Sequence, residues 1–180
     1  ITDTHNGKRG EEMKNHKKHS EYNCLDHMSN EQLVKLLLDL PNKILRHEDL
    51  QELSQIILHE LCHKNHLGLK KATYMVDNPE FGCMRGVAGY CKDECKMHKK
   101  DLWENPHAFS KDMAKAEFHN KMKCFEHASI CKGNGEECQE LHKLGKNIGL
   151  VEPKVYKWDM RNGNRGVLIF EEDHDNQSNQ

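Results

Sequence analysis

Little in this chain is apolar, and no single sign of charge dominates it. Only 36% of its 180 residues are hydrophobic and 6% are aromatic, with a mean hydropathy of −0.93. The core available to it is therefore modest for its length. Its apolar runs, such as Leu36–Leu38 and Val167–Phe170, are far shorter than the roughly 20 residues a membrane-spanning helix needs. The 29 acidic and 27 basic residues are well mixed and leave a formal net charge of −2. No basic field exists to draw in nucleic acid or an anionic membrane. A Ser-centred elbow, a P-loop and a dinucleotide fingerprint are all missing. The chain begins at Ile1 with neither Met nor a signal-peptide pattern, so a secreted form would already have lost its signal.

What the chain does have is cysteine and histidine. Eight cysteines, Cys24, Cys62, Cys83, Cys91, Cys95, Cys124, Cys131 and Cys138, lie at irregular spacing in an otherwise polar sequence. An even count of this kind reads as a disulfide framework and predicts an oxidising, extracellular compartment. Each bridge would contribute roughly 2–4 kcal/mol by constraining the unfolded chain. The Asn176-Gln177-Ser178 sequon fits the same compartment as an acceptor for glycosylation. Fourteen scattered histidines are open to three readings: metal binding, pH sensing, or a polar surface.

The pattern along the chain predicts helices. Residues 1–23 read as a disordered polar arm and 173–180 as a disordered tail. Between them, 24–152 read as a helical disulfide-linked domain and 153–172 as a β-hairpin packed on it. Ser29 and Gln32 open a first helix that carries Leu33, Leu36, Leu37 and Leu40 and stops at Pro41. A second spans about His47 to His66, with Leu50, Leu53, Ile57 and Leu61 on one stripe. A third runs from Val87 to about Leu102, placing Cys91 and Cys95 one turn apart on one face. A fourth opens at Asn105-Pro106 and runs to about Phe125. A fifth covers Glu136–Lys146. Asn78-Pro79 and Gly82 mark a turn. Val155–Trp158 and Val167–Phe170 flank a turn-rich Arg161–Gly166 segment and read as the hairpin. A hairpin alone is marginal in water, so Trp158 and Phe170 should pack on the helices or on a partner.

The cysteine frame adds a lead. Cys62, then Cys91-x3-Cys95, then Cys124 and the stretch Lys132-Gly133-Asn134-Gly135-Glu136-Glu137-Cys138 resemble the insect odorant-binding family, which includes the salivary D7-like proteins. The resemblance covers roughly residues 48–149. Cys24, Cys83 and Cys131 are additional to that frame, and no cysteine stands near Asn147. The resemblance implies Cys62–Cys95 and Cys91–Cys138 pairing, leaving Cys24, Cys83, Cys124 and Cys131 for two more bridges. It also implies a secreted carrier of a small hydrophobic or amphipathic ligand. A second resemblance, to small secreted phospholipases A2, rests on Asp77-Asn78-Pro79, Phe81-Gly82-Cys83 and Cys95-Lys96-Met97-His98. Those enzymes follow their histidine with Asp, whereas Lys99 and Lys100 follow His98 here. Two cations stand where a calcium ligand belongs.

His59-Glu60-Leu61-Cys62-His63, with His66 beyond, matches the zincin motif. Imidazoles at i and i+4 face one way and can chelate zinc. On a helix at about 100° per residue, however, Glu52, His59, His63 and His66 form a stripe opposite the leucines. It reads as an outer face, with zinc only an alternative. Ligand-binding candidates come from the central aromatics and methionines: Tyr74, Met75, Tyr90, Met97, Trp103, Phe109, Phe118 and Met122. Such side chains either fill a core or line an apolar cavity. Lys96, Lys99 and Lys100 could meet a carboxylate head group.

Together these features predict an all-α fold: a disulfide-stapled bundle of five to six helices with a C-terminal β-hairpin. The expected function is a secreted, non-catalytic protein holding a small hydrophobic or amphipathic ligand between helices, with no cofactor. The alternatives are an interaction protein that contacts a protein partner through its surface or hairpin, and a hydrolase or its inactive relative.

Overall fold

The computed structural model describes Ile44 and residues 50–63, 67–95, 102–130 and 137–173. The predicted helix over 29–40, Cys24, Cys131, His66, Met97, His98, and the lysines at 96, 99 and 100 lie outside them. So do the arm over 1–23 and residues 174–180.

The fold is mixed α/β, which overturns the all-α bundle. Among the described residues, four helices and five strands of defined extent follow in the order α1 (Leu50–Cys62), β1 (Leu69–Asn78), β2 (Cys83–Cys91), α2 (Pro106–Met113), α3 (Glu117–Lys123), β3 (Glu126–Ala128), α4 (Glu137–Asn147), β4 (Lys154–Asp159) and β5 (Arg165–Glu172). The strands form one antiparallel sheet in the order β3-β2-β1-β5-β4.

The predicted third helix is where the reading fails. Residues 83–91 form a strand hairpinned to β1, and Cys91-x3-Cys95 sits on the turn that leaves it. Cys95 N still donates to Cys91 O at 3.1 Å, so a single helix-like turn survives. The hairpin loop explains the register. Asn78 Oδ1 accepts from Phe81 N at 3.1 Å, Pro79 O accepts from Gly82 N at 3.1 Å, and Gly82 adopts φ +62°. That is a turn built by an Asx residue, a proline and a glycine, each in its favoured role. The predicted fourth helix is two: α2 ends at Met113, and α3 starts only at Glu117. Asn105 caps α2, its Oδ1 accepting from Ala108 N at 3.3 Å, with Pro106 in the first turn. At the start of α3, the Glu94 carboxylate accepts from Phe118 N at 2.8 Å.

Both sheet faces are covered. Ala72, Ala88, Tyr90 and Phe170 join one apolar cluster with Ile56 of α1 and Phe109 of α2. Met75, Val167 and Ile169 join the other with Phe118 and Met122 of α3 and Leu141 of α4. Side chains alternate between faces along a strand, so α1 and α2 lie on one side and α3 and α4 on the other. A bulge resets that alternation in β2. Tyr74 pairs with Ala88 but Met75 with Gly86, leaving Val87 as the extra residue. Met84, Gly86, Gly89 and Cys91 thus share the α3 face despite their mixed spacing.

Those glycines set how close α3 comes. A Cβ on Gly86 would lie 2.0 Å from the Met122 carbonyl oxygen, and one on Gly89 would lie 2.7 Å from Met122 Cγ. Backbone cannot yield as a flexible side-chain tip can. Gly86→Ala is therefore expected to destabilise the protein by about 1–3 kcal/mol or more through overpacking. Urea denaturation reads this as a lowered midpoint, and an unchanged midpoint would contradict the close approach.

Candidate functional site

The predicted ligand-lining residues do not meet. Met75, Phe118 and Met122 are buried in the cluster on the α3 side. Tyr90 and Phe109 are buried in the cluster on the other side, with Tyr74 and Trp103 packed against it. The sheet separates the two sets, and Met97 is outside the described residues. Of the seven that are described, Phe109 alone lines an open cleft of about 500 Å³ that lies between α2 and the turn at Cys95 and brings in none of the other six. Phe109, Met113, Ala116 and Cys95 form its apolar wall, and its rim carries Glu94, Glu117 and Asp112, the last 2.9 Å from the Lys115 ammonium, for a net acidic edge.

At His59 the helix turns inward. His59 is only 7% exposed and packs edge-on against Tyr90 at 5.2 Å and Phe109 at 5.3 Å. Gln55, Ile56 and Cys62 are buried with it, while Ile57 and Leu61 are only half-buried. The helix is rotated from the leucine stripe because α2 and the sheet cover the histidine side. Glu60 accepts from Trp103 Nε1 at 3.2 Å, and Glu52 meets His107 at 2.5 Å. His63 follows the end of α1, its ring 6.3 Å from that of His59. Among the described residues, no group of three or more His, Cys, Asp or Glu side chains is arranged to hold a metal ion.

A buried histidine that the sequence reading passed over lies nearby. His119 of α3 is 1% exposed. Its Nδ1 lies 3.2 Å from Gly89 O, and its Nε2 lies 3.3 Å from Gln55 Nε2. Gly89 N also lies 3.4 Å from Nδ1, so Nδ1 either donates to the Gly89 carbonyl or accepts from the Gly89 amide, according to the tautomer. Burial lowers its pKa, in keeping with a neutral ring that joins α1 and α3 to β2.

The six described cysteines are free thiols. Cys62 and Cys95 belong to the same apolar cluster, whereas Cys91 belongs to the one on the other face. Cys95 Sγ lies 3.5 Å from Met113 Sδ. Burial raises the Cys62 thiol well above its ordinary pKa, with Cys95 and Cys91 adding to the effect, and pushes Cys95 up to about 11. Burial also raises the pKa of Cys91, and that of the Tyr90 phenol beside these thiols. Nucleophilic cysteines need the opposite environment. Cys124 and Cys138 are exposed, and Cys83 is half-buried at the start of β2.

The surface that stands out is the β4–β5 hairpin. Its turn uses Asn162 at φ +60° and Gly163 at φ +70°, with Asn164 N donating to Arg161 O at 3.4 Å. Two successive positive φ values are what Asn-Gly supplies best. Trp158 pairs with Gly166 in register, and a Cβ there would lie 2.2 Å from the indole. The ring therefore rests on the glycine backbone. Both Tyr74, 5.7 Å away at 14°, and Tyr156, 5.9 Å away at 29°, stack with it. The Tyr74 hydroxyl donates to Met160 Sδ at 3.7 Å. Phe170 is buried against the helices, but Tyr156 is 62% exposed and Trp158 37%. Of the two fates expected for the hairpin aromatics, Phe170 takes the core and Trp158 the surface.

Comparison with protein-family models, curated proteins and solved structures yields no match.

Proposed function

We propose that this chain is a non-catalytic binding protein that engages a protein partner through the aromatic face of the β4–β5 hairpin. One observation carries the reading. Tyr156, Trp158 and Met160 are large apolar side chains left exposed together on the hairpin and linked through Tyr74; among the described residues Val151, in the loop before β4, and Phe81, at a loop tip, are exposed apart from them. A contiguous exposed apolar patch marks an interaction site more often than scattered apolar residues do. Trp and Tyr are also the side chains that dominate binding energy at protein interfaces. Rings fixed by stacking and by the Gly166 seat lose little freedom on binding. Affinity capture with the full chain tests this. A partner held by the native protein and by Phe81→Ala should bind Trp158→Ala about 30-fold more weakly. Equal binding by Trp158→Ala would remove the proposal.

A second reading, a small hydrophobic or amphipathic ligand, finds support in the cleft beside Cys95. An apolar wall of Phe109 and Met113 under an acidic rim suits an amphipathic cation. Native mass spectrometry of the purified chain should then show a bound amine, lost in Met113→Asp. A ligand-free spectrum from the natural source would count against it.

The eight cysteines support an extracellular, oxidising compartment. Cys62 and Cys95 belong to one apolar cluster, which makes them the first candidates for a bridge. Peptide mapping of the unreduced natural protein should find bridges among the eight, Cys62–Cys95 first. Eight free thiols would defeat the assignment.

A further inference from the structure

Strand β4 is an edge of the sheet: β5 pairs with one side of it, and no described strand pairs with the other. Met160 N donates to Asn164 O at 2.8 Å, which fixes the alternation of the ladder. The even-numbered residues of β4 direct their backbone groups at β5. Val155, Lys157 and Asp159 direct theirs outward. An exposed edge of this kind is a template for another strand. The opposite edge, β3, is only three residues long.

We propose that the occupant of this edge is a second copy of the chain, pairing β4 with β4 antiparallel about a two-fold axis at Tyr156. The inference rests on the hairpin being the interaction surface. Self-pairing about a residue keeps each face continuous, so aromatic meets aromatic side. In the Tyr156 register, Tyr156 faces its own copy, Lys154 faces the copy's Trp158, and Val155 faces the copy's Lys157. Each lysine meets an aromatic or aliphatic neighbour rather than a like charge. Moving the axis to Lys157 would set two lysines directly opposite, which is unfavourable. Lys157 is held on the α4 face by Glu137 at 2.6 Å, and Lys154 by Glu172 at 2.6 Å, so neither side chain lies across the backbone edge. Pairing would join the two Tyr74–Trp158–Tyr156 rows into one platform.

Sedimentation equilibrium of the full chain, without any other protein, tests the pairing. The expected result is a concentration-dependent dimer. Tyr156→Lys sets two ammonium groups across the axis and should weaken self-association by about tenfold or more. Lys157→Pro removes an outward N–H that β5 does not use, and should leave a folded monomer by circular dichroism. A chain that stays monomeric at every concentration overturns the proposal. So does a dimer unaffected by Tyr156→Lys, whatever becomes of the proline variant. Failure here leaves partner capture by Trp158 untouched, and loss of that capture leaves the sedimentation result standing.

Discussion

The antiparallel pairing of β1 with β5 holds this molecule together. It runs from Leu69 opposite Glu172 to Asp77 opposite Arg165 and joins segments from opposite ends of the described chain. Without it, the β1–β2 hairpin and the β4–β5 hairpin would be separate ribbons, each too small to bury a face. With it, one sheet presents two apolar faces, and each gathers a pair of helices. The exposed aromatic row exists for the same reason. Tyr74 comes from β1 and Trp158 from β4, and only β5 between them brings the two rings into contact.

Polar groups inside the fold are tied to the same sheet. Thr73 donates its hydroxyl to Ala88 O at 3.0 Å, and His119 reaches Gly89. Glu171, 5% exposed, accepts from Val151 N at 2.8 Å and lies 3.5 Å from the Lys70 ammonium. A buried carboxylate is costly unless hydrogen-bonded and paired. This one fixes the chain just before β4 enters the edge of the sheet. Rigidity of the hairpin face therefore begins in the core.

Local signals were legible in the sequence, and distant pairings were not. Asn105-Pro106 opens a helix where its capping chemistry says it should, and Arg161–Gly166 turns the chain with an Asn-Gly step. Val87–Tyr90 misled because a short apolar run has no period of its own, and the Cys91-x3-Cys95 spacing imitates a helix. The two glycines there, Gly86 and Gly89, were the better guide, since glycine inside a strand marks a bulge or a close backbone approach. At the surface, Trp158 could be named as a residue needing a neighbour, but its seat on Gly166 depends on the strand register. His59 pointed the wrong way because the apolar stripe ignored what α2 and the sheet would cover. The ring of His119 gave no signal, since its partners lie 30 and 64 residues away.

The bulge at Val87 makes β2 a strand with two reading frames. Upstream of it even-numbered residues face α3, and downstream odd-numbered ones do. Straightening the bulge at constant length would set Val87 or Ala88, rather than a glycine, against the backbone of α3, whereas deleting Val87 would leave Gly86 and Gly89 two positions apart on the same face. The bulge is therefore what brings two glycines three positions apart onto the face that α3 approaches.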